Sequence, residues 1–244
     1  MNDKVNILGA NIHMVNMDEA EKQALDLMET EGASVIYTPN PEIILYGYNN
    51  PEFMDKLNSA DLMVADGIGV VYAAKMLHKP LEERVAGYDL ICRLFGKMAV
   101  AGKSVYLLGS KPGIAEQAAE TIKKNNPGIV IAGTHDGYFK EDGPVIEAVN
   151  AAKPDFLLVC LGFPKQEEWI YKYRDKLNAK LVIGAGGCLD VFAGAVLRAP
   201  KFYCDHGLEW FYRLMKQPSR FIRMLALPKF AITVFFKGKR YKGK

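Results

Sequence analysis

The chain has 244 residues, of which half are apolar and about a quarter are charged, a composition typical of a globular protein and unlike that of disordered or collagen-like chains. This length suits one large domain with an appendage and is short for two full domains. The four cysteines show neither a C-x-x-C pair nor a metal-ligand spacing, so we expect reduced thiols, as in a cytosolic protein.

Short apolar segments alternate with amphipathic ones along the chain. The predicted strands are residues 5–8, 34–37, 62–65, 104–108, 129–133, 156–161 and 181–184. The predicted helices are residues 18–32, which open on an Asp18-x-x-Glu21 capping box, and residues 67–77, 88–100, 113–125 and 164–177. Mostly apolar strands separated by helices predict an α/β fold, with a Rossmann-like, mostly parallel sheet covered by helices on both faces.

Polar residues and glycines follow several of the predicted strands. Thr38 and Asn40 follow the second strand, Asp66 and Gly67 the third, and Gly109 the fourth. Ligands of such sheets bind outside the carboxyl ends of the strands, and glycine turns that lead into helices favour phosphate. There is no G-x-G-x-x-G, no Walker lysine pattern and no D-x-D pair. We therefore expect no cofactor and no metal, and protein cations at any phosphate group.

Arg84, in LEERVAGYDL, is the candidate cation because a guanidinium can bind diphosphate oxygens in a bidentate manner. Each candidate also has a structural interpretation. Asp66 can cap the helix that follows it, and Arg84 can pair with Glu82 or Glu83. Gln166 can be a solvent-facing residue in the first turn of a helix. Spacing alone therefore predicts an enzyme or binding protein for a phosphorylated ligand, without defining a reaction.

The last 49 residues form a basic, aromatic-rich tail. From residue 196 onward there are 12 Lys and Arg residues against two acidic ones, a net charge of +10, whereas residues 1–195 carry −7. Ten of the 26 aromatic residues also lie in this tail. This combination fits nucleic acid or an anionic membrane surface. We therefore divide the chain into a body, residues 1–195, and a helical appendage, residues 196–244.

The pattern within the tail favours the membrane over nucleic acid. Two short helices separated by Pro218 are predicted, with Ser219 as a cap for the second. Phe221, Ile222 and Leu225 share one face of that helix, as in a helix that lies at a membrane interface. The alternative is that these apolar residues pack on the body or on another subunit.

Nine segments resemble the WecG/TagA/CpsF glycosyltransferase family, in order and over nearly the whole chain. They are TPNPEII, ADGIGVVYAA, ERVAGYDL, VYLLGSKPG, THDGYF, LGFPKQEEWI, GAGGCLDVFAG, RAPKF and GLEWFYRL. The resemblance implies an enzyme that transfers a sugar from a UDP-sugar to a polyprenyl-diphosphate-linked sugar at the cytoplasmic membrane face. In the wall teichoic acid branch, N-acetylmannosamine passes to N-acetylglucosamine-diphospho-undecaprenol with inversion, giving a β-1,4 linkage. Cys188 and Leu189 depart from the family pattern, which has a small polar residue and Phe.

The resemblance also implies roles for the candidate residues. Asp66 would be the general base, and Arg84 would stabilise the diphosphate of the donor or of the acceptor. The substrate-binding residues would be Thr38, Asn40, Gly67, Gly109, Gln166, Arg220 and Arg223. On the residues alone, Thr38 and Asn40 either cap a helix or bind something polar, and with the resemblance we prefer ligand binding.

Localisation and partners follow from the same resemblance. The tail would dock the body, a catalytic domain, onto anionic lipid, so we expect a cytoplasmic protein peripheral to the membrane, with no nucleic-acid partner. The N-terminal segment lacks signal-peptide features, and the apolar runs are too short to cross a bilayer. A homo-oligomer through the apolar tail face stays open. The alternatives are another donor, such as N-acetylmannosaminuronic acid or glucose, a nucleotide-cofactor enzyme such as a dehydrogenase, and a non-catalytic membrane adaptor.

Overall fold

A computed structural model describes residues 3–218 and 221–238 and contains eight strands. They are β1 (Lys4–Ile7), β2 (Ala10–His13), β3 (Ser34–Tyr37), β4 (Leu62–Met63), β5 (Ser104–Gly109), β6 (Val130–His135), β7 (Phe156–Cys160) and β8 (Leu181–Gly184). Six of these strands form one parallel sheet in the order β4-β3-β8-β7-β5-β6.

Helices cover both faces of this sheet, which confirms the predicted fold class. The α-helices of the described residues are α1 (Met17–Leu27), α2 (Pro41–Asn49), α3 (Pro51–Asn58), α4 (Ile68–Met76), α5 (Gly87–Ala101), α6 (Ile114–Asn125), α7 (Asp142–Ala152), α8 (Lys165–Tyr173), α9 (Cys188–Phe192), α10 (Lys201–Asp205), α11 (Glu209–Lys216), α12 (Phe221–Met224) and α13 (Ala226–Lys237). Side chains along a strand alternate between two hydrophobic clusters: Val35 and Tyr37 point into one, and Ile36 into the other.

The first predicted strand does not belong to the parallel sheet, which corrects the sequence-based expectation. β1 pairs with β2 in a separate antiparallel hairpin. Leu8 and Gly9 connect the two strands with φ angles of 51° and 100°, and the Gly9 N–H donates to Asn6 Oδ1 at 3.1 Å. Positive φ at both central residues gives the twist that a tight hairpin needs. β2 was not predicted because the turn before it contains neither Asn-Gly nor Asp-Gly.

The cap of α1 also differs from the prediction. Asn16 caps the helix, and its Oδ1 accepts from the Glu19 N–H at 2.9 Å. Glu19 Oε2 accepts in turn from the Asn16 N–H at 3.1 Å, which completes a capping box. The box therefore lies two residues before the predicted Asp18 and Glu21, because Asn16 and Glu19 have the same spacing and come first.

Three chain segments run side by side just beyond the carboxyl ends of β3 and β4. The Val64 N–H donates to the Tyr37 carbonyl at 3.0 Å, and the Asp66 N–H donates to the Pro39 carbonyl at 3.2 Å. The Val85 N–H donates to the Ala65 carbonyl at 3.0 Å. These backbone bonds bring the residues that follow β3, those that follow β4 and the start of α5 together at one place.

The tail packs on the body through one side of α13. Phe230 and Val234 are 2% and 1% exposed and belong to the hydrophobic cluster that also holds Val35 and Tyr37. Part of the apolar surface therefore packs on the body, as the alternative interpretation expected. Other large apolar side chains of α12, α13 and the residue between them are exposed: Phe221, Ile222, Leu225, Ile232, Phe235 and Phe236.

The helices on either side of Pro218 agree with the prediction of a break there. α11 ends at Lys216, and the part of the tail described after the break contains α12 and α13. Ser219 and Arg220, predicted as a cap and as a substrate-binding residue, lie outside the described residues. The division of the chain at residue 195 stays a prediction. No helix in the two described ranges is long and apolar enough to cross a lipid bilayer.

Candidate active site

A cavity of about 470 Å³ lies between the carboxyl edge of the sheet and the tail. On the body side it is lined by residues that follow β3, β4 and β8, together with α4 and the start of α5. The other side is formed by α11, α12 and α13, with Glu209, Arg213 and Arg223 as its charged members. The location agrees with the rule that ligands of such sheets bind beyond the carboxyl ends of the strands. The tail therefore forms one wall of the cavity.

Asp66 lines this cavity and is half-buried. Burial raises the pKa of its carboxyl group to about 6, the nearby Glu209 adds to this rise, and the cations Arg84 and Arg213 oppose it. The nearby Gly87 backbone N–H also opposes the rise in the pKa of Asp66. The N-cap of α4 is Gly67 rather than Asp66, so Asp66 is not the cap residue of that helix.

Asn40 caps α2 and also lines the cavity. Its Oδ1 accepts from the Glu42 N–H at 2.9 Å and from the Ile43 N–H at 3.1 Å, and Pro41 occupies the first position of the helix. The capping interpretation therefore holds for the oxygen of Asn40. Contact between a ligand and the rest of its carboxamide stays a prediction.

Thr38 lies beneath the start of α5 and is outside the cavity lining. A Cβ atom added to Gly87 would come within 2.9 Å of Thr38 Oγ1, so glycine is needed for this close approach. Since the Gly87 N–H also lowers the pKa of Asp66, Thr38 packs against backbone that influences the carboxylate. The fold favours this indirect role over the predicted role in substrate binding, which stays untested.

The two predicted glycines differ in location. Gly67 lines the cavity and is the N-cap of α4, with a φ of 101°, a conformation that favours glycine. Gly109 is outside this lining. It has a φ of 134°, and a Cβ atom there would lie 2.3 Å from the Cys160 carbonyl oxygen. The backbone alone therefore accounts for Gly109, and its contact with a substrate stays a prediction.

Arg84 pairs with a residue of the tail rather than with its neighbours in sequence. Its Nη1 lies 3.4 Å from Glu209 Oε2, and both side chains are 14% exposed. The other oxygen of Glu209 pairs with Arg213, one helical turn further along α11. Glu82 and Glu83, the partners weighed from sequence, instead accept hydrogen bonds at the start of α1. One carboxylate therefore links two arginines inside the cavity.

Arg223 forms a second ion pair between the tail and the body. Its Nε and Nη2 donate to the two oxygens of Glu42 at 2.9 and 3.0 Å, in a bidentate geometry. Both residues line the cavity. Arg223 therefore reaches the cavity that holds Asp66 and Arg84, while its contact with a substrate stays a prediction.

Gln166 lies in the interior, away from the cavity lining, and is not a solvent-facing helix residue. Its Oε1 accepts from the Gly186 N–H at 2.8 Å, and its Nε2 donates to Glu167 Oε1 at 2.8 Å. Gln166 thus holds the turn after β8, of which Ala185 and Gly187 line the cavity. These bonds give Gln166 a positioning role, and its contact with a sugar stays a prediction.

The residues that depart from the family pattern lie at the start of α9. Cys188 lines the cavity, and burial raises the pKa of its thiol well above the usual value, so the thiol is neutral. Leu189 is fully buried in the core on the opposite side of the sheet from Tyr37. Of the two residues that depart from the family pattern, only Cys188 lines the cavity, and its side chain is uncharged.

Sequence reasoning missed three charged residues of this cavity, namely Glu42, Glu209 and Arg213. Glu209 and Arg213 have the i, i+4 spacing that places two side chains on one face of a helix, which was the available signal. Glu42 gave no such signal, because its partner Arg223 is 181 residues away.

Together these features define a class of protein. A half-buried carboxylate of raised pKa faces two arginines in a cavity at the carboxyl edge of a parallel sheet, as expected for an enzyme that combines base catalysis with binding of an anion. Within the described ranges, no three His, Cys, Asp or Glu side chains come together as a metal site.

Comparisons with known proteins identify the family. The model of the glycosyl transferase WecG/TagA/CpsF family matches residues 5–244. Three relatives are named N-acetylglucosaminyldiphosphoundecaprenol N-acetyl-beta-D-mannosaminyltransferase. That of Bacillus spizizenii is 41% identical over 89% of this chain and 84% of its own, and that of Bacillus subtilis (strain 168) is 38% identical over 93% and 87%. That of Staphylococcus aureus (strain MRSA252) is 36% identical over 97% and 94%. The chain belongs to the WecG/TagA/CpsF family of glycosyltransferases.

Proposed function

We propose that this protein is an inverting glycosyltransferase of wall teichoic acid linkage-unit synthesis. It moves N-acetylmannosamine from UDP-N-acetylmannosamine to the 4-hydroxyl of N-acetylglucosamine-diphospho-undecaprenol, with a β-1,4 linkage. Family membership and the names of three relatives at 36–41% identity support this reaction. The observation that carries the chemistry is the Asp66 carboxylate, with its raised pKa, beside Arg84 and Arg213 in one cavity.

Asp66 acts as the general base in this proposal. The acceptor oxygen attacks the anomeric carbon from the face opposite to UDP, its proton passes to Asp66, and the bond between the anomeric carbon and the UDP oxygen breaks. A carboxylate whose pKa is about 6 is a stronger base than an ordinary aspartate and is still ionised at neutral pH. A well-placed base contributes about 10²- to 10⁴-fold to the rate.

Arg84 supplies the cation for the leaving UDP. Negative charge grows on the diphosphate as the glycosidic bond breaks, and a fixed guanidinium stabilises that charge more in the transition state than in the ground state. Arg213 and Arg223 line the same cavity and add positive charge from the tail. The acceptor also carries a diphosphate, so in this proposal the three arginines serve two anionic groups.

The tail brings the cavity to its lipid-linked substrate. The exposed apolar side chains of α12 and α13 stand beside the basic residues of the tail, a combination that suits the interface of an anionic membrane. We therefore propose a peripheral location on the cytoplasmic face of the membrane. A homo-oligomer formed through the same apolar surface is an alternative use of these side chains.

The test is release of UDP from UDP-N-acetylmannosamine with a polyprenyl-diphosphate-N-acetylglucosamine acceptor in liposomes. We expect acceptor-dependent release by the wild type, a decrease of about a hundredfold or more in Asp66→Asn, and little change in the exposed control Asp55→Asn. Activity should persist in EDTA. Absence of release by the wild type would contradict the proposed donor, and a panel of UDP-sugars would follow. Equal release by the wild type and Asp66→Asn would show that Asp66 is not the general base.

A further inference from the structure

The Glu209 carboxylate lies between two arginines of the cavity, at a place where a phosphate group could also bind them. It is the first residue of α11, and its two carboxylate oxygens contact Arg84 from the body and Arg213 from the tail. Guanidinium groups bind carboxylates and phosphates through the same parallel N–H donors. The Glu209 carboxylate, with one oxygen on each arginine, therefore lies where one phosphate group of a diphosphate would meet the same two cations.

The charges that line the cavity are balanced while Glu209 stays there. The lining contains three arginines and three acidic residues, which are Arg84, Arg213, Arg223, Glu42, Asp66 and Glu209. With Asp66 ionised, a diphosphate entering this set would find no excess of positive charge. Departure of Glu209 leaves two arginines without their carboxylate, and a diphosphate then restores the lost negative charge.

We propose that Glu209 is an internal stand-in for a diphosphate: its carboxylate holds Arg84 and Arg213 in the empty cavity, and an incoming diphosphate displaces it. The stand-in keeps both cations oriented before the ligand arrives. Glu209 is the first residue of its helix, so its side chain can rotate out without breaking the hydrogen bonds of later turns. The inference deepens the proposed function, and it depends on that function only for the identity of the diphosphate.

Binding of two probes tests the displacement. The dissociation constants of UDP and of inorganic pyrophosphate would be measured by calorimetry for the wild type, Glu209→Gln and Glu209→Ala. Removing an internal competitor should lower the dissociation constant by about fivefold, the size of one partly exposed ion pair. The control is Asp205→Asn, which makes the same change of charge in the tail at an exposed pair with Lys201 and should leave binding unchanged.

The sign of the change decides the result. A dissociation constant that rises or stays the same in both Glu209 variants overturns the proposal, because Glu209 then only positions the arginines or has no influence on them. An equal gain in Asp205→Asn also overturns it, since the effect would then come from overall charge. Binding of neither probe to any variant overturns it as well. Failure of the proposed function would appear separately, as absence of sugar transfer by a wild type that still binds pyrophosphate.

Discussion

At the residue scale, Asp66 sets the pH range of the proposed reaction. The base must be ionised, and its pKa is about 6, so kcat/KM should fall tenfold for each pH unit below that value. Arg84 lowers the pKa of Asp66, and Arg84→Ala should therefore move the acidic limb of the profile to higher pH while it also reduces the rate. The measurement is kcat/KM between pH 4.5 and 8. A limb that stays in place in the variant would mean that Arg84 does not influence the base.

Glu167 offers a second prediction at this scale, on stability. It is 2% exposed, its Oε2 has no hydrogen-bond partner, and burial raises the pKa of its carboxyl group to about 7. A raised pKa in the folded state means that stability is fully present below the ordinary pKa of glutamate and is lost as pH rises through about 7. At pH 8 the ionisation of Glu167 should lower the free energy of unfolding by about 3 kcal/mol relative to acidic pH.

Glu167→Gln tests this effect of ionisation on stability, because glutamine keeps the oxygen that accepts from Gln166 and cannot ionise. We expect the variant to be more stable than the wild type at pH 8, with the difference shrinking toward zero near pH 4. Urea unfolding at both pH values measures it. A constant difference across this range would show that the ionisation of Glu167 does not affect folding.

At the element scale, α13 presents one buried face and one exposed apolar face, and we propose that the exposed face meets the membrane. Phe230 and Val234 pack into the core of the body, whereas Phe235 and Phe236 are 65% and 71% exposed. Replacing both exposed phenylalanines by serine should leave the melting temperature unchanged and weaken binding to liposomes, because each buried aromatic ring contributes about 2 kcal/mol at an interface.

Val234→Ala is the matched control on the same helix. Loss of two buried methyl groups should reduce stability by about 2 kcal/mol and leave the exposed apolar surface intact. Thermal unfolding and liposome co-sedimentation would be measured for both variants. If the serine variant bound liposomes as the wild type does, the exposed face of α13 would not be the membrane surface.

The elements also show which features local sequence can predict. β3 and β8 have the predicted bounds, because each is a short apolar run bordered by polar residues or glycine. The role of Asn40 as a helix cap could not be decided from sequence, because Asn before Pro fits both a helix start and a rigid binding turn. The pair of Arg84 and Glu209 could not be predicted, since 125 residues separate its members. Contacts of this kind depend on how the tail folds back, which periodicity does not encode.

At the scale of the whole molecule, a basic tail is attached to an acidic body, and some charged residues of the two parts form ion pairs with each other. Arg84–Glu209, Asp89–Arg198 and Glu42–Arg223 are ion pairs between body and tail. In the described part of the tail, the basic residues that form no ion pair are lysines: Lys216, Lys229 and Lys237. These charges remain available to anionic lipid.

Replacing Lys216, Lys229 and Lys237 by glutamine should therefore weaken binding to anionic liposomes. Each basic residue near such a surface contributes about 1 kcal/mol, so the triple variant should bind about a hundredfold more weakly at low salt. Screening should reduce this difference as ionic strength rises, and liposomes of phosphatidylcholine alone should show no difference between the proteins. Co-sedimentation across a salt series measures both effects. Binding that is equal for the two proteins at low salt would mean that the apolar face alone holds the tail at the membrane.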